Sequence, residues 1–364
     1  MIFLKKLGII AEYNPLHNGH IYHIEQIKKQ ANPDLIIGII SSSFTMRGDL
    51  SIYDKFTKTN QALKAGCDLV IELPFMYTLE RADIFASNAV DFLNLISVDE
   101  IWIGSEENNI KIYEECYNKE KEINIDKSIS YKNNSISSYP FLSNDLLGYF
   151  YYKRIKDMNY NIKLNTIKRI KSSYLSKKLE SENIASATSL RYNLDSLKNY
   201  TPSFVYENNN FLDENKLFNN LKYKLLSSSL EELKNIFFVD EGIENKLIMI
   251  NKINNLEELI NYLSNKKYSK TRIKRMLIYI LMNISKNEVN IILNNKIDFI
   301  RVLGFNKKGK DYLNSIKKEL KIYTNIKEND NLALAIELKV SKILDSIYNI
   351  GLFEKEQKGP IIYE

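Results

Sequence analysis

Along the first half of the chain, apolar residues fall into short branched runs separated by segments of mixed polarity. Leu7 to Ala11, Asp34 to Ser41, Cys67 to Leu73 and Glu100 to Ser105 are the clearest of these runs. Near-continuous apolar character over so short a length marks strands buried on both faces of a parallel sheet, and Pro74 stops the third because proline cannot continue a ladder. The intervening segments change to helical spacing. After Asn18, Ile21, Ile24 and Ile27 recur on one side; Ser51 to Ala65 closes on Gly66 as a C-terminal cap; Leu79 to Ile96 sets Ala82, Phe85, Ala86, Ala89, Val90 and Leu93 on one face. Strand and helix thus alternate, which predicts an α/β fold of right-handed βαβ units around a parallel sheet, with its ligand beyond the carboxyl ends of the strands. His17, Arg47, Gly104 and Arg169 are expected near that edge.

Further along, Lys111 to Pro140 is rich in Asn, Ser and Lys and reads as a lid or an irregular insertion. Ser143 to Met158 predicts a helix capped by Ser143 or Asn144, Asn165 to Ile170 a strand, and Ser186 to Leu194 a short helix. From Tyr206 glycine becomes rare. Long patterns such as Leu256, Leu259, Ile260, Leu263 and Met276, Leu277, Ile280, Leu281, Ile284 make the second half mainly helical. The expected division is 1–200 for the α/β unit and 201–364 for the helical one. The chain has neither an internal repeat nor a sustained heptad pattern.

Composition narrows the picture in three respects. With 51 Lys+Arg against 45 Asp+Glu the net charge is +6, compatible with a polyanionic partner without requiring one. No apolar run of about 18 residues is present and the chain begins directly with a strand, so a cytoplasmic protein without membrane or evident protein partners is expected. Cys67 and Cys116 have no paired spacing, which argues against disulfides and zinc ribbons.

The chemistry concentrates in Ile10-Ala11-Glu12-Tyr13-Asn14-Pro15-Leu16-His17-Asn18-Gly19-His20-Ile21-Tyr22-His23, where the first strand runs into the first helix. All three histidines of the 364 residues lie there. Unpaired N–H groups of the first helical turn, near Gly19 and His20, attract an anion, and two imidazoles beside them can donate to phosphate oxygens as charge builds at phosphorus. Alternatively, His17 and His20 are a helix-capping pair, or join His23 around a metal. Zinc would need further ligands and supporting partners, and no cysteine adjoins, so no metal site is expected.

His17-Asn18-Gly19-His20 resembles the H-x-G-H signature of the nucleotidylyltransferase superfamily, and Ser186-Ala187-Thr188-Ser189-Leu190-Arg191 resembles its second signature, S-S-T-x-x-R, with one alanine substituted. More closely, E-Y-N-P-x-H-N-G-H, D-L-V-I-E-L-P, G-S-E, N-D-L-L-G and I-A-S-A-T-x-x-R resemble the bacterial tRNA-methionine cytidine acetate ligase family over nearly the whole chain. The resemblance implies a Rossmann-like parallel sheet with an H-x-G-H nucleotidylyltransferase core, followed by a helical tRNA-binding domain. It also implies activation of acetate by ATP, accompanied by magnesium, and acetylation of the wobble cytidine of elongator tRNA-Met. By the same resemblance His17, His20 and Arg191 are catalytic, and Ile10 to His23, Gly104, Asn144, Arg169, Ile170 and Thr188 bind ATP, with Lys168 near its phosphates. The basic run Lys266 to Arg275, and Arg301, Lys307, Lys308 and Lys310 in a loop with Gly304 and Gly309, resemble further segments of the family.

Two stretches depart from the family pattern. Ser42, Ser43 and Met46 replace a Gly, an Asn and a Gln in S-G-N-F-x-Q-R-G, and Lys171 to Ser176 replaces G-A-x-Y-H-D, losing a histidine and an aspartate. Two other readings of the signatures remain: a plain nucleotidylyltransferase acting on a small phosphorylated substrate, and a catalytically silent tRNA- or nucleotide-binding protein.

Overall fold

The apolar runs of the N-terminal half become parallel strands in the computed structural model, which describes residues 4–122, 141–170, 184–327 and 331–364. Strands β1 (Lys6–Ala11), β2 (Leu35–Ser41), β3 (Leu69–Leu73), β4 (Glu100–Ser105) and β5 (Lys163–Lys168) lie in the order β5-β4-β1-β2-β3. Every residue of β2 and β3 is buried, as strands covered on both faces require. Because the chain builds outward from β1 to β2 and β3 and then returns to add β4 and β5 on the other side, the carboxyl end of β1 is the point where strand order reverses, the usual place for a ligand.

Helix starts follow local capping. The helix expected from Ser51 begins at Lys55, because Asp54 accepts hydrogen bonds from Phe56 N (2.9 Å) and Thr57 N (3.2 Å). Ser143–Asp157 is helical, but neither Ser143 nor Asn144 caps it. Leu142 holds the cap position without a side-chain bond, and Asn144 Nδ2 donates instead to Glu106 Oε1 at 2.7 Å. Ile110–Glu122 is a helix, so the front of the polar insertion is regular. The remainder of that insertion, 123–140, and the departing segment 171–176 lie outside the described residues.

The C-terminal half is mainly helical, yet it also extends the same sheet. Phe299–Phe305 (β6) pairs antiparallel with β3, and Lys321–Tyr323 (β7) and Ile361–Ile362 (β8) pair parallel with β6. The expected basic loop around Gly304 and Gly309 is therefore corrected: Arg301 and Gly304 belong to a buried strand, and Gly309 to the helix Lys307–Ile316. Arg301 is 1% exposed and donates to Glu356 Oε2 at 3.4 Å, which removes it from any RNA surface.

Beneath this junction lies a wholly buried charge cluster. Lys55 Nζ meets Glu72 Oε1 at 2.6 Å, Glu337 Oε1 at 2.7 Å and also Glu356 Oε1. Glu337 reaches back to Phe75 N at 2.6 Å, so helix Leu332–Tyr348 is tied to β3 and the helix after it. One lysine thus joins segments nearly 300 residues apart in sequence, which the bond from Lys55 to Glu337 spans as a separation of 282.

Candidate active site

Where β1 ends, its loop is fastened from below and from the side. Tyr13 takes a left-handed φ of 46°, the Asn14–Pro15 peptide is cis, and Asn14 Oδ1 accepts from Ile52 N at 2.8 Å. Glu12 Oε1 accepts from Met46 N at 2.6 Å. Lys58, fully buried, donates through Nζ to the carbonyl oxygens of Glu12 (3.2 Å), Ser41 (2.8 Å) and Ser42 (2.7 Å) and to the hydroxyls of Ser41 (3.2 Å) and Ser51 (3.1 Å). Burial lowers its pKa to about 7 against the pull of Glu12.

The helix Asn18–Ala31 begins in a reciprocal cap made by the two signature histidines. His17 Nδ1 accepts from Gly19 N at 3.1 Å, and His20 Nδ1 accepts from His17 N at 3.2 Å. A neutral imidazole whose Nδ1 accepts must carry its proton on Nε2, so each ring keeps one donor for a ligand. The rings stack with centroids 3.8 Å apart, and Tyr13 meets His20 edge-on at 5.0 Å. Gly19 is needed at this packing, since a Cβ there would lie 2.9 Å from the His17 ring. Capping and phosphate donation are therefore compatible uses of the same two side chains.

Burial, with the charge of Arg169, lowers His17 to about 3 and His23 to about 4, and burial followed by His17 and Arg169 lowers His20. All three are neutral at physiological pH. Because the unfolded chain binds these protons near pH 6.5 and the folded chain does not, stability is full above pH 6.5 and falls as pH drops toward the folded values. The loss is expected to reach about 1–2 kcal/mol per histidine by pH 5. Thermal melting from pH 7.5 to 5 checks this, and His23→Gln should flatten the acid slope. A slope unchanged by that substitution would contradict it.

The second signature docks onto this loop. Ser186 caps the helix Ala187–Tyr192 by accepting from Ser189 N at 3.1 Å. Arg191 Nη1 donates to the Asn14 carbonyl at 2.8 Å, and Nη2 lies 3.3 Å from Thr188 Oγ1 and 3.8 Å from Asp49 Oδ2. On the opposite flank, Asp145 accepts from Tyr113 OH at 2.6 Å, from the backbone N–H groups of Glu106 and Glu107 at 3.0 Å each, and from the Ser105 hydroxyl. This clamp shapes the end of β4, where Arg169 Nε stands 3.5 Å from Glu106 Oε1 and Lys168 Nζ donates to the Glu106 carbonyl.

These residues line one cleft of about 210 Å³. Ile10, Ala11, Glu12, Tyr13, Asn14, His17, Gly19, His20, Tyr22, His23, Gly104, Asn144, Lys168, Arg169, Ile170, Thr188 and Arg191 all face it, together with Arg47. Pro15, Leu16, Asn18 and Ile21 do not line it; Leu16 is fully buried and Ile21 packs on the core. Asp49, Trp102 and Tyr151, which also line the cleft, carried no sequence signal. Among the described residues no group of three His, Cys, Asp or Glu side chains could hold a metal ion, and no helix is long and apolar enough to cross a membrane.

The family model described as HIGH Nucleotidyl Transferase matches residues 4–358. A tRNA(Met) cytidine acetate ligase of Staphylococcus aureus (strain MRSA252) is 35% identical over 99% of this chain and 100% of its own length. The chain belongs to the tRNA(Met) cytidine acetate ligase family. A ligase of the same name from Thermoanaerobacter sp. (strain X514) is 36% identical over 98% of this chain and 94% of its own. In structure, apo Thermotoga maritima TmcAL covers 99% of both chains with a TM-score of 0.83 at 22% identity, and the same protein bound with alpha-thio ATP gives 0.81 at 23%. These solved structures have the same fold.

The basic run of this family member divides in two. Lys266, Lys267 and Lys270 are exposed, and Arg272 lies over the Tyr268 ring at 4.6 Å. Lys274 instead binds Asp49 at the cleft rim (2.5 Å), and Arg275, 8% exposed, donates to the carbonyls of Met46 and Glu80 at 3.2 Å each. Gly48 makes this contact possible: its φ is +82°, and a Cβ there would sit 2.7 Å from Arg275 N. Burial opposes the charge on Asp49, but Lys274, Arg191 and Arg47 hold its carboxyl below the usual range.

Proposed function

We propose that this protein activates acetate with ATP as acetyl-adenylate, releases pyrophosphate, and transfers the acetyl group to N4 of the wobble cytidine of elongator tRNA-Met. The observation that carries the reading is the convergence at the strand-order reversal of two neutral imidazoles that line the cleft and spend only Nδ1 on the helix cap, a helix N-terminus and the second-signature Arg191. Those groups suit the in-line attack of an acetate oxygen on the α-phosphorus. Nε2–H donors of His17 and His20 stabilise charge on the α-phosphate, and Lys168, Arg169 and Arg191 neutralise the departing pyrophosphate. Gly104, Asn144 and Ile170 then bound the nucleoside side of the cleft. The described residues offer no group of three His, Cys, Asp or Glu side chains to hold a metal, so we assign magnesium to the phosphates of ATP.

In this reading the division at residue 200 is functional rather than a break in the sheet: 1–200 supplies the adenylating cleft and 201–364 the tRNA face. Lys266, Lys267, Lys270 and Arg272 are the phosphate-contacting candidates, whereas Lys274, Arg275 and Arg301 are committed to internal contacts. Replacing Lys267, Lys270 and Arg272 by Ala is expected to weaken tRNA binding. The slope of log affinity against log salt should flatten by about one unit per lost contact, with tRNA-independent exchange of pyrophosphate into ATP preserved. A filter-binding salt titration checks this, and an unchanged slope would remove the face from the RNA site.

A further inference from the structure

The cleft has two flanks with different chemistry. On the β4–β5 flank stand Gly104, Asn144 and Arg169, the surroundings assigned above to the nucleotide. On the β2 flank stand Thr45, Met46, Arg47 and Asp49, facing the carboxyl end of β1 at Glu12. With the nucleotide on one flank, the acyl group and its acceptor enter by the other.

Cytosine N4 conjugates with its ring and is a weak nucleophile, so it must lose a proton as its bond to the acetyl carbon forms. Two carboxylates line the cleft among the described residues, Glu12 and Asp49. Asp49 is neutralised by Lys274 at 2.5 Å and flanked by Arg191 at 3.8 Å. Glu12 has no ion-pair partner within 4.0 Å among the described residues, and the Met46 N–H holds one of its oxygens at 2.6 Å. Lys58 fixes its backbone carbonyl at 3.2 Å, so the side chain is carried on a rigid bend. Burial raises its carboxyl above the ordinary range, against the Met46 bond and the Lys58 charge, which favours a base of useful strength over a permanently ionised ornament.

We propose that the Glu12 carboxylate is the base that accepts the N4 proton during acetyl transfer, an assignment that rests on the tRNA-acetylating reading above. N4 attacks the carbonyl carbon of acetyl-adenylate and the C–N bond forms. The bond from that carbon to the phosphate oxygen breaks with its electron pair staying on AMP, and the N4 proton passes to Glu12, which returns it to solvent. No oxidant, reductant or further reactant is needed.

The test uses the full chain and two assays: acetate-dependent exchange of pyrophosphate into ATP without tRNA, and single-turnover transfer from acetyl-adenylate preformed on the enzyme to elongator tRNA-Met. Glu12→Gln keeps an acceptor for the Met46 N–H, so transfer is expected to fall by about 100-fold or more, and by at least about 10-fold more than exchange, whose own loss reports what Glu12 contributes to the ATP loop. The wild-type transfer rate should rise with pH along one limb that the Gln variant lacks and Glu12→Asp retains at lower rate. Equal losses in both assays, full transfer by the Gln variant, or an unaltered pH limb would overturn the role of Glu12. Wild-type protein that exchanges pyrophosphate but never acetylates tRNA would overturn the underlying reading as well, which separates the two failures. Should Glu12→Gln not fold, the comparison of wild type with Glu12→Asp decides: loss of the limb in Asp overturns the proposal, and its retention with slower transfer supports it.

Discussion

His20→Ala is expected to lower acetate-dependent exchange of pyrophosphate into ATP by about two to four orders of magnitude, because it removes one preorganised donor at the point where charge develops on the α-phosphate. The same substitution also removes the acceptor for His17 N, a bond of 3.2 Å, so a stability loss of about 1 kcal/mol from the helix cap accompanies it. The two effects separate in measurement. Melting temperature reports the cap, and exchange at saturating ATP in folded protein reports the chemistry. Near wild-type exchange would remove His20 from the reaction and leave only its capping use.

Lys55→Met carries the largest expected cost to stability. It would leave Glu72 and Glu337 without their lysine and Glu356 with Arg301 as its remaining cation, all wholly buried, around an apolar thioether. Breaking a buried charge cluster from one side costs about 3–5 kcal/mol, a large part of the stability of a typical protein. Burial, and then Glu337, push the Glu72 carboxyl up, so a proton on Glu72 is the readiest partial relief once Lys55 is gone. Urea titration of the purified variant checks the value, and adding Glu337→Gln to Lys55→Met should recover part of the loss. A midpoint equal to wild type would mean that the carboxylates find other partners or protons at no cost.

How much of this molecule can be read from sequence follows from where each residue finds its partners. The strands at Leu7, Leu35, Leu69 and Glu100 were legible because parallel strands covered on both faces need long apolar runs, and the histidine stretch was legible because its residue types have few other uses in that pattern. The pairing of the two signatures was implied by resemblance, but not its detail: Arg191 reaches the Asn14 carbonyl across 177 residues. Strand β6 was hidden because Arg301 and Gly304 look like loop residues, and only the later Glu356 makes a buried arginine tolerable. The inward turn of Lys274 and Arg275 was hidden for a related reason. A basic run says nothing of which members turn inward, and the partners Asp49, Met46 and Glu80 lie more than 190 residues away.

Reconstitution with purified protein, ATP, isotope-labelled acetate and an elongator tRNA-Met transcript, followed by nucleoside mass spectrometry, tests the central claim most directly. The account predicts labelled N4-acetylcytidine at the wobble position, formed only when both ATP and acetate are present, with AMP and pyrophosphate released. Acetate-dependent pyrophosphate exchange without any N4-acetylcytidine would contradict it and leave the protein as a nucleotidylyltransferase for a small substrate.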